Sequence, residues 1–182
     1  DQAELTAMVK QDDKALVDAA VAFDVVSGSC TVTPPGTTTD AYGRATATVE
    51  SCDLGSCTVA AIAGFVDVVS ETAVVVFEPG DPDDVELTSD EVELTVGETT
   101  DLTAEVWDRC GNHVTDGTEV VFETDLGCFE TLDGCVNPIT VSTEDGVAGA
   151  TLRSTEDGTA TVSATSGDAD DDVTVDFEPG DP

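Results

Sequence analysis

Phe77-Glu78-Pro79-Gly80-Asp81-Pro82 returns letter for letter as Phe177-Glu178-Pro179-Gly180-Asp181-Pro182, one hundred residues further along a chain of 182. A phrase that closes two successive stretches of this length marks a tandem array of small β-sandwich domains rather than one enzyme-sized body. The repetition extends outward from that phrase. Thr39 to Val49 aligns with Thr143 to Leu152, each an acidic turn ending in glycine followed by an alternating strand. Gly55 to Ala61 matches Gly158 to Ala164, and Leu5-Thr6-Ala7 matches Leu102-Thr103-Ala104. Only the second unit carries Val85 to Thr100, in which Val-Glu-Leu-Thr is written twice. Asp1 therefore enters the first unit at what would be its second strand. Either the chain is an excerpt of a longer array, or another molecule supplies the first strand.

Short runs rich in Val and Thr, bounded by Gly or Asp, predict strands over Val92 to Thr95, Leu102 to Trp107, Glu119 to Glu123, Ala148 to Arg153, Thr159 to Ala164 and Val173 to Phe177. Ala15 to Val26 has the composition of a helix. Its counterpart, Val114 to Asp125, contains the turn Asp116-Gly117 and the β-type run Glu119-Val120-Val121-Phe122, so both are read as strand.

Forty acidic residues against five basic ones give a formal charge of -35. That field excludes nucleic acid and anionic membranes as electrostatic partners and favours cations. Such charge density usually accompanies disorder, yet 40% hydrophobic residues in strict alternation argue for folded sheets. No apolar run approaches the ~18 residues of a membrane span. The acidic beginning lacks the apolar core of a signal peptide, so any export signal is removed or lies outside the excerpt.

Asp108 to Phe122, the acidic turn and strand from Thr143, and Gly158 to Ala164 together resemble the bacterial immunoglobulin-like domains of the invasin and intimin type. The resemblance covers nearly all of the second unit and, more loosely, Ala3 to Phe77 of the first. In the first unit the Gly-Asn turn is replaced by Asp12-Asp13-Lys14-Ala15. The family forms stalks of surface adhesins and other giant secreted proteins, so the resemblance implies spacing, display and, in some members, receptor binding, with no catalytic residues to transfer. The expected fold is all-β: two tandem immunoglobulin-like sandwiches, the first lacking its first strand. Domain one spans 1–78, a linker 79–84, and domain two 85–182 with the terminal phrase.

Six cysteines, three in each unit, fit an extracellular or cell-surface setting. Cys52 and Cys57 flank a turn and Cys128 and Cys135 flank a short hairpin, predicting the bridges Cys52–Cys57 and Cys128–Cys135. Alternating strand direction would put the remaining Cys30 and Cys110 at the junction, predicting Cys30–Cys110. Other pairings, including one to another chain, stay open. The spacings are not those of a zinc ribbon, and His113 has no second histidine to join.

No cofactor is required on this reading. Calcium is the cation it accommodates, through Glu78, Asp81, Asp83 and Asp84 around the linker and Asp168, Asp170, Asp171 and Asp172 before the last strand. No EF-hand spacing occurs, and a hydrated acidic surface is the simpler account. Thr37, Thr38 and Thr39 beside Pro34-Pro35 are candidate acceptors of O-linked sugar. An enzyme is not expected, since nucleophilic catalysis needs a base held near its nucleophile and the single His113 lies in a turn. Two functional classes remain: an extracellular array, stalk or filament, or an adhesion module for a receptor or glycan. The expected partners are further repeats of the same array and copies of the chain itself, end to end or by strand complementation.

Overall fold

The computed structural model describes residues 2–64 and 71–180. Among them no helix forms, and none is long and apolar enough to cross a membrane. The chain divides into two compact units, Asp1–Glu78 and Pro79–Pro182.

Unit one contains a three-stranded sheet of β1 (Gln2–Met8), β7 (Arg44–Glu50) and β5 (Thr31–Thr33), in that order. A four-stranded sheet runs β6 (Gly36–Thr38), β4 (Ala20–Ser27), β8 (Gly55–Ala63) and β9 (Glu71–Phe77). The ribbon β2 (Lys10–Gln11) and β3 (Lys14–Ala15) turns on Asp12 and Asp13, whose φ values of 49° and 60° are both left-handed. Two successive positive φ values are what a two-residue hairpin demands, and Asp tolerates them better than most residues. The helical composition of Ala15 to Val26 loses to tertiary context: the segment is largely β4, with Val21 and Phe23 buried between the exposed Ala20, Ala22 and Asp24.

Unit two has two five-stranded sheets. One runs β10 (Pro82–Ser89), β12 (Thr99–Asp108), β17 (Val147–Arg153), β14 (Cys128–Thr131) and β15 (Gly134–Val136). The other runs β11 (Glu93–Thr95), β19 (Ala169–Glu178), β18 (Gly158–Ser166), β13 (Glu119–Thr124) and β16 (Ile139–Ser142). Pairing is antiparallel except between β11 and β19. Every predicted strand of this unit coincides with one of these elements. The linker is shorter than expected: Pro82 already faces Asp108 and Asp84 faces Trp107 in the β10–β12 ladder, with a bulge between them. Proline is accepted there because it opens the strand.

Period-two alternation builds both cores. In unit two Leu102, Ala104 and Val106 of β12 meet Ala160, Val162 and Ala164 of β18, and the Phe122 and Phe129 rings, one from each sheet, lie 6.1 Å apart. In unit one Ala45, Ala47 and Val49 of β7 meet Val21 and Phe23 of β4 and Val59 of β8.

The repeated acidic turn has the same backbone in both units. Val9 N–H donates to the Gly43 carbonyl and Val106 N–H to that of Gly146. Gly43 and Gly146 have φ of 75° and 80°, and a Cβ on Gly146 would lie 2.5 Å from the His113 side chain. Glycine is thus required twice over, by conformation and by space. The preceding threonines are buried brackets: Thr39 Oγ1 donates to the Leu16 carbonyl and Thr143 Oγ1 to that of Thr115.

Candidate functional site

Two places gather groups that the sandwich itself leaves over. The first is the free edge of unit one. In unit two, β10 covers the edge of β12, setting Val85 opposite Val106, Leu87 opposite Ala104 and Ser89 opposite Leu102. Under that cover Leu102 is 1% exposed and Ala104 is 0%. Their counterparts on β1, Leu5 and Ala7, are only half-buried, and among the described residues no strand pairs with β1 on that side. The uncovered edge opens on a groove of about 620 Å³ lined by Leu5, Ala7, Val9, Phe23, Ala73 and Glu71.

The second place is the end of β12. Asp108 is buried at 6% exposure, and its Oδ1 accepts hydrogen bonds from the N–H groups of Cys110 and Asn112, both at 2.9 Å. Its Oδ2 accepts from Gly80 N–H at 2.9 Å and from the Asn112 amide at 3.1 Å. Burial pushes the Asp108 carboxyl up, but the N–H groups of Gly80, Asn112 and Cys110 outweigh it and hold the group below its ordinary value. An ionised carboxylate therefore organises this loop from within. Beside it, Trp107 packs its ring 5.6 Å from that of His113. Asp83, Asp84, Glu86, Trp107, Arg109 and Gly111 rim an open depression of about 550 Å³.

The disulfides are rearranged relative to two of the three expectations. Cys30 pairs with Cys57, at a Cα separation of 6.2 Å, so neither Cys30–Cys110 nor Cys52–Cys57 forms. The reason is the facing of β8: Cys57 points into the core at 1% exposure, whereas Cys52 lies on the exposed turn. After the bulge between Val25 and Ser27, the chain at Gly28 runs against the backbone of Ser56 and Cys57, bringing Cys30 onto the same core. Cys128–Cys135 is present across the β14–β15 hairpin at 5.6 Å between Cα atoms. Cys52 and Cys110 are also disulfide-bonded, and none of the six is a free thiol.

The acids expected to accommodate calcium are Glu78, Asp81, Asp83, Asp84, Asp168, Asp170, Asp171 and Asp172. Among the described residues no group of three or more His, Cys, Asp or Glu side chains is placed to hold a metal ion. Asp171 is committed elsewhere, its Oδ2 accepting from Leu87 N–H at 2.8 Å and tying β19 to β10. Asp83, Asp84, Asp168, Asp170 and Asp172 are exposed, and Glu78 and Asp81 sit on the exposed ends of their own units. Of the candidate sugar acceptors, Thr39 is buried at 2% exposure and receives Ala19 N–H, so its hydroxyl is structural. Thr37 is half-buried on β6 and Thr38 exposed. The sequence does not single out the groove residues Leu5, Ala7, Val9 and Glu71 as a site.

No family model matches the chain, and no curated protein matches it. Solved structures do. The Escherichia coli adhesin FdeC superposes with a TM-score of 0.68 at 18% identity, over 97% of this chain and 59% of that one. InvD of Yersinia pseudotuberculosis gives 0.51 at 22% identity, over 98% and 53%. The C-terminal 282-residue fragment of intimin, solved with the intimin-binding domain of its translocated receptor, gives 0.50 at 19%, over 97% and 58%. The chain thus spans between half and three-fifths of these solved chains. The class they define is one of fold: the architecture is that of the bacterial immunoglobulin-like domains of invasin and intimin type, in agreement with the resemblance carried by Asp108 to Phe122 and Gly158 to Ala164.

Proposed function

We propose that the chain is part of an extracellular structural array, a stalk or filament-forming surface protein in which immunoglobulin-like sandwiches follow one another and disulfides stiffen them. The observation that carries this reading is the recurrence of one sandwich plan closing twice on the same six-residue phrase. Disulfide-bonded cysteines agree with an oxidising compartment outside the cell. One Trp and one Tyr in 182 residues give few of the aromatic anchors that binding surfaces favour. No catalytic role belongs to this reading.

Adhesion to a receptor or glycan is the second reading, favoured by the likeness to an intimin fragment solved with its receptor domain. Sedimentation of the purified chain over a concentration series, paired with saturation binding to host cells and a glycan panel, separates them. The array predicts self-association and no saturable partner. Saturable binding without self-association would overturn it in favour of adhesion.

A further inference from the structure

We propose that the depression at the end of β12 in unit two is a subsite for a neutral pyranose, carried at the end of a glycan chain on another surface. Trp107 supplies the platform, Arg109 the hydrogen-bond donors, and Asp83, Asp84 and Glu86 the acceptors. The sandwich itself does not need an aromatic residue at this place. Unit one folds the same ribbon: Leu16 N–H donates to the Val9 carbonyl and Val114 N–H to that of Val106, so Lys10 stands where Trp107 stands. Lys10 pairs across the ribbon with Ala15, whereas Trp107 pairs with His113. The chain nevertheless sets its single Trp here, half-buried and 5.6 Å from the His113 ring. The indole is tilted at 51° to the imidazole and borders the depression.

The polar groups around the ring are of both kinds. Val85 and Leu87 turn inward from β10, so Asp84 and Glu86 face outward, with Asp84 directly across the ladder from Trp107. Among the described residues no salt bridge engages Asp83, Asp84, Glu86 or Arg109. Asp108 has a different part: its oxygens accept the N–H groups of Gly80, Cys110 and Asn112, which fixes the loop that carries Arg109 and Gly111 before any ligand arrives. The hydroxyls of a pyranose donate and accept at once, and bonds to charged partners are the strong ones. Its C–H face packs on an indole by dispersion. A basic side chain would instead meet Arg109, and an acidic sugar would meet three carboxylates on a chain of formal charge -35. The volume of about 550 Å³ lies within the ~300–1,000 Å³ of ordinary small-ligand clefts.

The subsite rests on the adhesion reading and deepens it, while self-association remains the separate test of the array. With one Trp in the sequence, the chain reports its own occupancy. Tryptophan emission of the full chain is titrated with the methyl glycosides of glucose, galactose, mannose, fucose, N-acetylglucosamine and N-acetylgalactosamine, and with that of N-acetylneuraminic acid as the charged control. A saturable change with at least one neutral glycoside is expected, with the acidic glycoside bound about tenfold more weakly or worse. Arg109→Ala and Asp84→Ala, both at exposed positions, are each expected to weaken that binding about tenfold through loss of a hydrogen bond to a charged group. No saturable change with any neutral glycoside, an affinity unmoved by both substitutions, or equal binding of the acidic glycoside would overturn the subsite. Saturable host-cell binding that survives both substitutions would also overturn it, while leaving the adhesion reading intact.

Discussion

Unit two closes its sandwich with β10 and β11, whereas among the described residues of unit one no strand lies outside β1 or β9, and the two units differ in what they bury. Val175 of β19 is fully buried, whereas its counterpart Val75 of β9 is only half-buried. Val74 and Val76 are 63% and 61% exposed on the other face of β9, where β19 has Thr174 and Asp176. The central strands of both units bury one another, and unit one leaves more apolar surface exposed along β9 than unit two does along β19.

Core truncation should reveal that asymmetry most strongly. Phe122→Ala in the closed unit is expected to cost about 3–5 kcal/mol. Phe23→Ala, at the matching place in a core already open on one side, should cost less. Denaturant titration with hydrogen exchange assigned to each unit checks this, and equal losses would break the comparison.

Removing the disulfides comes next. Cys30→Ser with Cys57→Ser opens a separation of 27 residues, and Cys128→Ser with Cys135→Ser one of 7. The chain-entropy argument gives about 3.5 and about 2.4 kcal/mol respectively. Melting of the two double variants should follow that order, and non-reducing peptide mapping should return a peptide linking Cys30 to Cys57.

The loop after the second strand separates the units more finely. Unit two organises it around the buried Asp108, unit one around the Asp12-Asp13 hairpin. Asp108→Ala should cost about 1–3 kcal/mol by leaving the N–H groups of Gly80, Cys110 and Asn112 without their acceptor. Because the folded carboxyl lies below its unfolded value of about 3.9, its contribution is complete above that pH and is lost as pH falls through the folded value. Acid titration of unit-two stability should therefore be shallower below about pH 4 in the variant. Asp40, held below its ordinary value by the N–H groups of Arg44 and Tyr42, gives unit one an acid limb of the same sign.

The smallest effect is expected at Asp18, whose φ of 57° falls where unit two has Gly117 at 89°. Both N–H groups bond the carbonyl of the bracket threonine, Thr39 or Thr143. Asp18→Gly should stabilise unit one by about 0.5 kcal/mol, as left-handed strain is relieved against a gain in unfolded-state freedom. A loss of stability would show that the two turns are not equivalent.

Period-two alternation, glycine at the acidic turns and the hundred-residue repeat determined the strands and the sandwich. Those features are local, or recur locally, so they can be read along one dimension. Tertiary structure alone decided which way each loop side chain faces. It turned Cys57 into the core towards Cys30 while Cys52 stayed outside, set the Asp171 carboxylate to accept Leu87 N–H, and buried the Thr39 hydroxyl. Each outcome depends on contacts between segments far apart in the chain, where a bulge after Val25 or one residue of register changes the partner while the sequence pattern stays the same.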